Sequence, residues 1–592
     1  MLKDILPAAR GDKKADLVFK NARIMDVFQE EIHRCDLAVA GGVILGWGNY
    51  SGQEELDLAG DYLAPAFIDP HLHIESSQIS VQNFARQIIP GGVLTVIADP
   101  HEIANVAGAA GIKYMLERGR RLPWNFRLML PSCVPATPWE ESGAELKAED
   151  LAELREEPGI FGLGEVMDYP GVIKGDEDIW AKLELFRGGF IDGHAPEVSG
   201  CELNSYLLAG IAADHECTTA SEARDKASRG MYIMIREGSV TKNLEDLLSA
   251  VDDGNVSRFM FATDDRQPED LVERGHLDYA VKKAIDAGLE PLRAYRMASL
   301  NPAEALGLED LGAIAPGRRA DLMVLDDLEQ VSPLSVYKDG IKIAGEGEIC
   351  ENNWQKFFFG KNSGDDREEF FDAEDLEAEQ RRKKVIFNSI NLPDIESKKF
   401  GLPEGESYRI IELQEEQVLT GNGVIKREPG ESVSSLLSRN QAARLAAVER
   451  HNASGKSALG LVRGFGLEQG ALATSVSHDS HNIMVLGREV EDMKAAVEEL
   501  KSLQGGIVVV NGEEVISSFP LPIAGLMSSM SAAEAAEQLG ELRTCAAELG
   551  VKISDPFMQL SFLSLPVIPE LKLTVNGLFD VNSFQHVSLL LD

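Results

Sequence analysis

The sequence predicts an α/β protein built on a (β/α)8 TIM-type barrel, with a small composite β-sandwich domain and a C-terminal α/β domain. Three observations lead to this prediction. The middle of the chain alternates short apolar, strand-like runs with helical patterns, which is typical of βα units around a parallel sheet. Strand-rich segments flank this middle on both sides, and a charged stretch precedes a second α/β region.

The composite β-domain is predicted from two separated segments of similar character. Residues 16–48 alternate short apolar runs with turn signals, including the pair Gly41–Gly42, and a similar pattern returns at residues 316–349. We therefore assign residues 1–64 together with 311–360 to one small sheet domain.

The barrel is predicted over residues 65–310, which leaves room for eight βα units because such barrels take about 250 residues. The strand-like runs are 64–74, 94–99, 127–132, 160–166, 189–195, 232–237 and 258–264. The helical patterns between them are 103–119, 201–213, 241–254 and 271–288.

The last third of the chain is predicted to be a separate domain. Residues 361–400 are rich in charge and are interpreted as a linker or an exposed helix. Residues 401–592 then form the C-terminal α/β domain. Its predicted strands include 409–413 and 507–510, and its predicted helices include 489–502 and 532–550.

Composition excludes several classes of protein. The chain carries 57 basic and 97 acidic residues, a net charge of −40, and such a field repels nucleic acid. No apolar run approaches the length of a membrane span, and the N-terminus lacks the apolar core of a signal peptide. The six cysteines form no C-x-x-C pair, which argues against a disulfide framework and a thiolate zinc site and fits a reducing cytoplasm.

Metal-ligating and acidic residues follow many of the apolar runs. The carboxyl ends of barrel strands line the active site, and alternate residues of a strand face the same side, so His71 and His73 suit two nitrogen ligands of one ion. Further candidates at such positions are Asp99, His101, Glu102, Glu165, His194, His215 and Asp264. A buried, hydrogen-bonded histidine is an alternative for any one position, but it explains the repetition at four strand ends poorly.

Four imidazoles and two carboxylates form a donor set that suits two first-row divalent ions. Two such ions bring four positive charges, and Glu165, Asp264 and a bridging hydroxide remove three. The remaining positive charge favours ionised water near neutral pH. On an extended strand, Asp265 is expected to point away from the side that Asp264 faces.

The motifs around these positions resemble the amidohydrolase superfamily and, within it, the adenine deaminase family. The resemblance runs over nearly the whole chain and is carried by 65-PAFIDPHLHIESS-77, 99-DPHEIANVAG-108, 164-GEVMDYPGVI-173, 192-DGHAP-196, 214-DHECTTASEA-223, 263-TDDR-266 and 477-SHDSHNIMVLG-487. Most members of the superfamily carry a carbamylated lysine at the position that resembles Glu165. Adenine deaminases instead have a glutamate there, as this chain does.

The resemblance implies hydrolytic deamination of adenine to hypoxanthine and ammonia by a metal-bound hydroxide, in purine salvage. It also implies two divalent ions, manganese or iron with zinc also suitable, and a homo-oligomer such as a dimer. The implied ligands are His71 and His73 for the first metal, Glu165 as the bridge, His194 and His215 for the second metal, and Asp264 as a first-metal ligand that also carries protons.

The remaining candidates have less defined roles. His101 is a candidate catalytic residue, and Asp99 and Glu102 either contact the purine ring or support the ligands. His478, Asp479 and His481 form one cluster that either faces or seals the active site or forms a structural turn. Two other functions stay open, namely an amidohydrolase acting on another aminopurine or a cyclic amide, and a non-catalytic metal- or purine-binding scaffold.

Overall fold

The computed structural model describes residues 2–358, 384–414 and 418–591. The chain begins with a short helix and five strands that form part of one sheet. These are α1 (Leu2–Ala9), β1 (Ala15–Asp26), β2 (Glu31–Ala40), β3 (Val43–Trp47), β4 (Gly52–Asp57) and β5 (Tyr62–Pro65).

The central strands form a parallel barrel. They are β6 (Phe67–His73), β7 (Val93–Ala98), β8 (Asn125–Leu130), β9 (Ile160–Val166), β10 (Phe190–Gly193), β11 (Ala213–Asp214), β12 (Tyr232–Arg236), β13 (Phe259–Ala262) and β14 (Asp264–Asp265). The strands pair in two parallel runs, β14-β6-β7-β8-β9-β10 and β11-β12-β13. The Ala212 amide bonds the Ile191 carbonyl at 2.9 Å beside β10 and β11. Because β14 continues β13, eight strands close the ring, and the predicted fold class is confirmed.

Helices and loops connect the barrel strands. The helices are α2 (Val81–Ile88), α3 (His101–Gly119), α4 (Ala148–Arg155), α5 (Tyr169–Lys174), α6 (Glu177–Leu185), α7 (Gly200–Leu208), α8 (Ala220–Ser228), α9 (Leu244–Leu247), α10 (Pro268–Glu273), α11 (Leu277–Asp286), α12 (Pro291–Ala298) and α13 (Leu300–Ala305). Helix α3 begins two residues earlier than predicted, which places His101 and Glu102 in its first turn.

Two predicted helices are shorter than the sequence pattern suggested. The predicted helix 201–213 ends at Leu208, and its last residues belong to the two-residue strand β11, which was missed. The predicted helix 241–254 is reduced to α9 and a 3-10 turn, Leu248–Ala250. The Asp252 side chain then accepts a hydrogen bond from the Gly254 amide at 2.9 Å, and this local turn competes with the helix.

The chain next returns to the first sheet. Strands β15 (Leu322–Leu325), β16 (Ser335–Lys338), β17 (Ile341–Gly345) and β18 (Glu348–Ile349) are followed by α14 (Glu351–Phe358). Strand β15 pairs antiparallel with β5, which gives the order β18-β17-β16-β15-β5-β1-β2-β3, with β4 beside β1. Strands from both sides of the barrel therefore share one sheet.

The C-terminal part contains an eight-stranded sheet and a three-stranded sheet. Its elements are β19 (Ser407–Leu413), β20 (Thr420–Lys426), α15 (Val433–Arg439), β21 (Ala442–Val448), β22 (Ser457–Arg463), β23 (Ala471–Thr474), β24 (Ile483–Gly487), α16 (Val490–Leu503), β25 (Gly506–Asn511), β26 (Glu514–Pro520), α17 (Ala532–Glu548), α18 (Pro556–Ser561), β27 (Leu571–Thr574), β28 (Gly577–Asp580) and β29 (Gln585–Val587). The larger sheet has the order β20-β19-β22-β21-β24-β23-β25-β26.

The segment predicted as a charged linker differs from that prediction in its second half. Residues 361–383 lie outside the described residues. In residues 384–400, Ile390, Leu392, Ile395 and Phe400 are buried in one core cluster with apolar residues of the larger C-terminal sheet and of α16. Their apolar side chains outweigh the charged neighbours, so this half belongs to the C-terminal domain. Among the described residues, no helix combines the length and apolar character needed to cross a membrane.

Candidate metal and active site

The six predicted metal ligands gather at one end of the barrel. They lie in or directly after the strands: His71 and His73 in β6, Glu165 in β9, His194 after β10, His215 after β11 and Asp264 in β14. Five of these side chains are buried. The sixth, His194, is half-buried, with 28% of its side chain exposed. The barrel therefore brings together residues that are up to 193 positions apart in the sequence, from 71 to 264.

The first group contains His71, His73 and Asp264. The Nε2 atoms of both histidines lie 3.3 Å from Asp264 Oδ1. Their Nδ1 atoms face away from Asp264. His71 Nδ1 lies 2.8 Å from Asp192 Oδ2, and His73 Nδ1 lies 3.0 Å from the Asp99 carbonyl oxygen. Such contacts hold a metal-ligating histidine in one tautomer, with the proton on Nδ1 and a lone pair on Nε2. The buried Nε2 of His71 has no hydrogen-bond partner.

The second group is centred on Glu165. Its Oε2 lies 2.7 Å from His194 Nδ1 and 3.5 Å from His215 Nε2. Its other oxygen, Oε1, lies 3.3 Å from His73 Nε2 in the first group. One carboxylate therefore contacts both groups, which is the arrangement that a bridging ligand requires.

The donor set fits a pair of divalent cations. Each group offers ligand atoms that lie within 4.8 Å of one another. Burial opposes ionisation of Glu165, but the hydrogen bonds from His194 and the neighbouring histidines hold its pKa well below the usual range. Burial likewise works against a charged His71, yet the Asp192 carboxylate raises the pKa of that imidazole well above its ordinary value. A cation would replace the protons that the histidines otherwise carry.

Asp264 also contacts residues that the sequence analysis did not single out. Its Oδ2 accepts hydrogen bonds from Arg236 at 2.9 Å and from Thr241 at 3.2 Å. Arg236 also binds Glu216, which lies next to a predicted ligand in the sequence. Burial disfavours the Asp264 carboxylate, but the Arg236 charge holds its pKa well below the usual range. Arg236 ends β12, so a search for cations at strand ends would have found it.

Asp265 does not point away from the site, and this expectation was wrong. It accepts a hydrogen bond from Ser76 Oγ. One oxygen of its carboxylate also lies within 4.8 Å of a ligand atom of His73 and of Asp264. The reason lies in the backbone, because Asp264 has φ of 59° instead of an extended conformation. A left-handed residue breaks the alternation of a strand, so both carboxylates face the histidines.

The segment after β7 contributes three further candidates. Asp99 Oδ2 accepts a hydrogen bond from the Glu165 amide at 2.9 Å, so this carboxylate supports the strand that carries Glu165. His101 Nδ1 lies 3.4 Å from Glu165 Oε1, and its Nε2 lies 3.5 Å from Glu102 Oε1. The Asp99 Oδ1 atom is buried without a hydrogen-bond partner. These side chains therefore line the region directly beside the two ligand groups.

A loop of the C-terminal domain reaches this region. His478 Nδ1 lies 2.6 Å from Glu102 Oε1, and His481 Nε2 contacts Glu102 Oε2. Asp479 is buried, with Oδ1 3.8 Å from His478 Nδ1. Burial, together with the nearby Glu102 charge, raises the pKa of Asp479 to about 6. The structure thus places His478, Asp479 and His481, the predicted cluster of the C-terminal domain, beside the polar residues of the barrel.

The segments that carry His194 and His215 are fastened to each other by a buried ion pair. Asp214 Oδ1 accepts from the Ala195 amide at 2.8 Å. Lys226 Nζ donates to the Ala195 carbonyl at 2.6 Å and to Asp214 Oδ2 at 3.0 Å. Asp214, which precedes His215, therefore holds the N–H of Ala195, which follows His194. Lys226, the ion-pair partner of Asp214, holds the carbonyl of Ala195.

Two family models match the chain. The model described as the amidohydrolase family covers residues 62–356, and the model described as the adenine deaminase C-terminal domain covers residues 417–585. The two matches fall on the barrel with the last strands of the composite sheet and on the C-terminal domain. Both parts of the chain are therefore related to proteins of known families.

Curated relatives match the chain over its full length. A protein named adenine deaminase from Petrotoga mobilis is 49% identical over 590 residues, covering 100% of both chains. A protein named adenine deaminase 2 from Carboxydothermus hydrogenoformans is 47% identical and covers 99% of both. A third, named adenine deaminase, from Halalkalibacterium halodurans, is 42% identical over 98% of this chain and 97% of its own.

Proposed function

Because the chain belongs to the adenine deaminase family of amidohydrolases, we propose that it hydrolyses adenine to hypoxanthine and ammonia. The observation that carries this proposal is the 49% identity over the full chain to a relative named adenine deaminase. In the reaction, a water oxygen forms a bond to C6 of adenine and the bond from C6 to the amino nitrogen breaks. We place the reaction in purine salvage, where it converts one free base into another.

We propose that two divalent cations bind at the barrel end, manganese or iron, with zinc also suitable. The residues that would hold them are His71, His73 and Asp264 for the first ion, His194 and His215 for the second, and Glu165 between the two. Mixed imidazole and carboxylate donors suit these metals. Such a cation, when bound, lowers the pKa of water and so supplies a nucleophile at neutral pH.

Asp264 is the proposed proton carrier. Its Oδ2 is engaged by Arg236 and Thr241, so Oδ1 is the atom that accepts a proton from the attacking water. The same proton then goes to the departing amino nitrogen, because free amide is a very poor leaving group. The contacts to Oδ2 would keep the carboxylate oriented while Oδ1 gains and loses the proton.

We propose that the side chains beside the ligands bind the base. Glu102 and Asp99 are carboxylates that accept hydrogen bonds from purine N–H groups, and His101 is the proposed catalytic residue that exchanges a proton with a ring nitrogen. His478 and Asp479 would cover the base from the side of the C-terminal domain. Burial of this cluster supports the proposal, since a dry pocket strengthens each polar contact.

We further propose a cytoplasmic homo-oligomer, most simply a dimer. All six cysteines are unpaired, which suits a reducing compartment. Sedimentation of the purified protein gives the oligomeric state directly.

Ammonia release from adenine tests the proposed function. The metal-free protein is reconstituted separately with manganese, iron and zinc, and turnover of adenine is compared with that of adenosine. We expect adenine to be the better substrate by far, because a ribose on N9 needs additional room in a buried pocket. Equal specificity constants for base and nucleoside, or no ammonia from adenine with any of the metals, would contradict the proposal.

A further inference from the structure

Glu102 is a barrel carboxylate whose two oxygens are both held by the C-terminal domain. It lies in the first turn of α3 and is buried, with 3% of its surface exposed. His478 Nδ1 contacts one oxygen at 2.6 Å and His481 Nε2 contacts the other. His101 Nε2 also lies 3.5 Å from Oε1. A carboxylate has about four acceptor positions, so one remains for a ligand even when all three histidines are bound.

The tautomer of His481 is fixed by the backbone of its own loop. The Ser477 amide lies 3.1 Å from His481 Nδ1, and since an amide only donates, Nδ1 must accept. The ring proton is therefore on Nε2, which points at Glu102. Burial lowers the pKa of His481 to about 4, so this ring is a neutral donor at physiological pH.

His478 contributes the charge of the arrangement. Burial works against its protonation, but Glu102 raises the pKa of His478 to about 9. The burial of Glu102 opposes its ionisation, yet the two histidines hold the pKa of Glu102 well below the usual range. Glu102 is therefore an ionised carboxylate between one charged and one neutral imidazole.

The loop that carries both histidines is itself held firmly. The His481 amide bonds the Ser477 carbonyl at 2.7 Å, which closes the loop. Ser564 Oγ donates to the His478 carbonyl at 3.0 Å, and Arg450 donates to the His481 carbonyl. The His478 ring stacks on Phe562 with 5.1 Å between ring centres. The histidines are thus presented by a loop whose position is set by the rest of the C-terminal domain.

From this geometry we propose that His481 is a positioning residue: its backbone-fixed Nε2–H orients Glu102 toward the purine and so makes adenine binding in the barrel depend on the C-terminal domain. This inference rests on the proposed function, because it assigns Glu102 to the bound base. It differs from a purely structural role of the loop, which needs only the bond between Ser477 and Nδ1.

Two substitutions separate these roles. In His481→Asn the side-chain oxygen takes the place of Nδ1 and keeps the bond from Ser477, but no donor reaches Glu102. In His481→Gln the amide nitrogen takes the place of Nε2 and keeps the donor to Glu102. A positioning role therefore favours the Gln variant, and a structural role favours the Asn variant.

The test measures adenine kinetics and metal content of both variants beside the parent and His586→Asn, a control histidine on β29 that does not contact Glu102. We expect His481→Asn to lower kcat/KM by roughly 10- to 100-fold, mainly through KM, as for loss of a hydrogen bond to a charged group. Metal content should match that of the parent, since Glu102 is not a proposed ligand. His481→Gln should recover most of the loss, and the control should behave like the parent.

A double-mutant cycle completes the test. In a Glu102→Gln background, His481→Asn should add little further loss, because the group that it positions has lost its charge. If the Asn variant retains the parent KM, if the Gln variant is the more impaired, or if the losses of Glu102→Gln and His481→Asn are independent, the inference is wrong while the proposed function stands. A parent enzyme that releases no ammonia from adenine would instead overturn both.

Discussion

At the scale of single residues, the candidate site depends on which atoms of each side chain are already engaged. Asp264 is the clearest case, because Oδ2 is held by Arg236 and Thr241 while Oδ1 faces His71 and His73. The same carboxylate is therefore anchored at one oxygen and available at the other. Both proposed roles of Asp264, metal ligand and proton carrier, therefore fall on Oδ1.

We predict that Asp264→Asn lowers adenine turnover by at least about 100-fold, because an amide still coordinates but does not take up a proton at neutral pH. Most of the metal should remain bound. Asp265→Asn is the matched comparison. It should cost much less, since an amide oxygen still accepts the hydrogen bond from Ser76. Turnover and metal content of the two variants, measured side by side, check this. A nearly normal Asp264→Asn enzyme beside an inactive Asp265→Asn enzyme would assign the proton-carrier role to Asp265.

Residue type and position were enough to predict which side chains gather at the end of the barrel, but not their contacts. The histidines and carboxylates stood out because each follows an apolar run of a predicted strand. Asp265 was misplaced because a sequence does not reveal the left-handed conformation of Asp264. Arg236 is not predicted from metal-ligand types, which are histidines and carboxylates, although an ionised carboxylate in a buried site also needs a counter-charge.

At the scale of elements, the ends of β10 and β11 and the helix α8 hold the proposed ligands of the second metal in place. Lys226 on α8 is fully buried and binds Asp214, Glu222 and the Ala195 carbonyl. This contact joins the loop after β10 to the end of β11. The two proposed ligands of the second metal are carried by the segments that it joins.

We predict that Lys226→Met lowers the free energy of unfolding by about 3–5 kcal/mol, because it leaves buried carboxylates without a counter-charge. It should also weaken metal binding roughly 10- to 100-fold, as expected for loss of a residue that supports ligands. Urea unfolding and metal analysis after dialysis provide the measurements. Lys282→Met removes an exposed pair with Asp286 and serves as the control, with an effect within about 0.5 kcal/mol. Unchanged stability and metal content in Lys226→Met would refute this role.

Most of the regular elements were predictable, and the exceptions have local causes. The pattern of apolar runs identified seven strands, whereas β11 was missed because two residues carry no periodicity. The predicted helix over 241–254 was overestimated because the Asp252 side chain forms a turn that helical periodicity does not register. Both errors lie in short connections, where side-chain hydrogen bonds outweigh apolar spacing.

At the scale of the whole molecule, the barrel and the C-terminal domain meet at Glu102. The sequence motif around His478 was noted, but its partner lies 376 residues away in the chain. No local pattern indicates such a contact, so the sequence alone does not predict that His478 lies against Glu102. Residues 384–400 differ from the predicted linker for a related reason, because Ile390 and Phe400 find their apolar partners only in the folded domain.

The central claim is that Glu165 bridges two cations that are needed to deaminate adenine. It is tested most directly by adding metal stepwise to the metal-free protein and measuring bound metal and ammonia release together, with Glu165→Gln as the comparison. We expect the parent to bind two ions per chain and to reach full turnover only when both are bound. The variant should retain fewer than two ions, because a neutral amide compensates the repulsion between two cations poorly. Full turnover of the parent with a single ion, or two retained ions and normal activity in Glu165→Gln, would contradict the account.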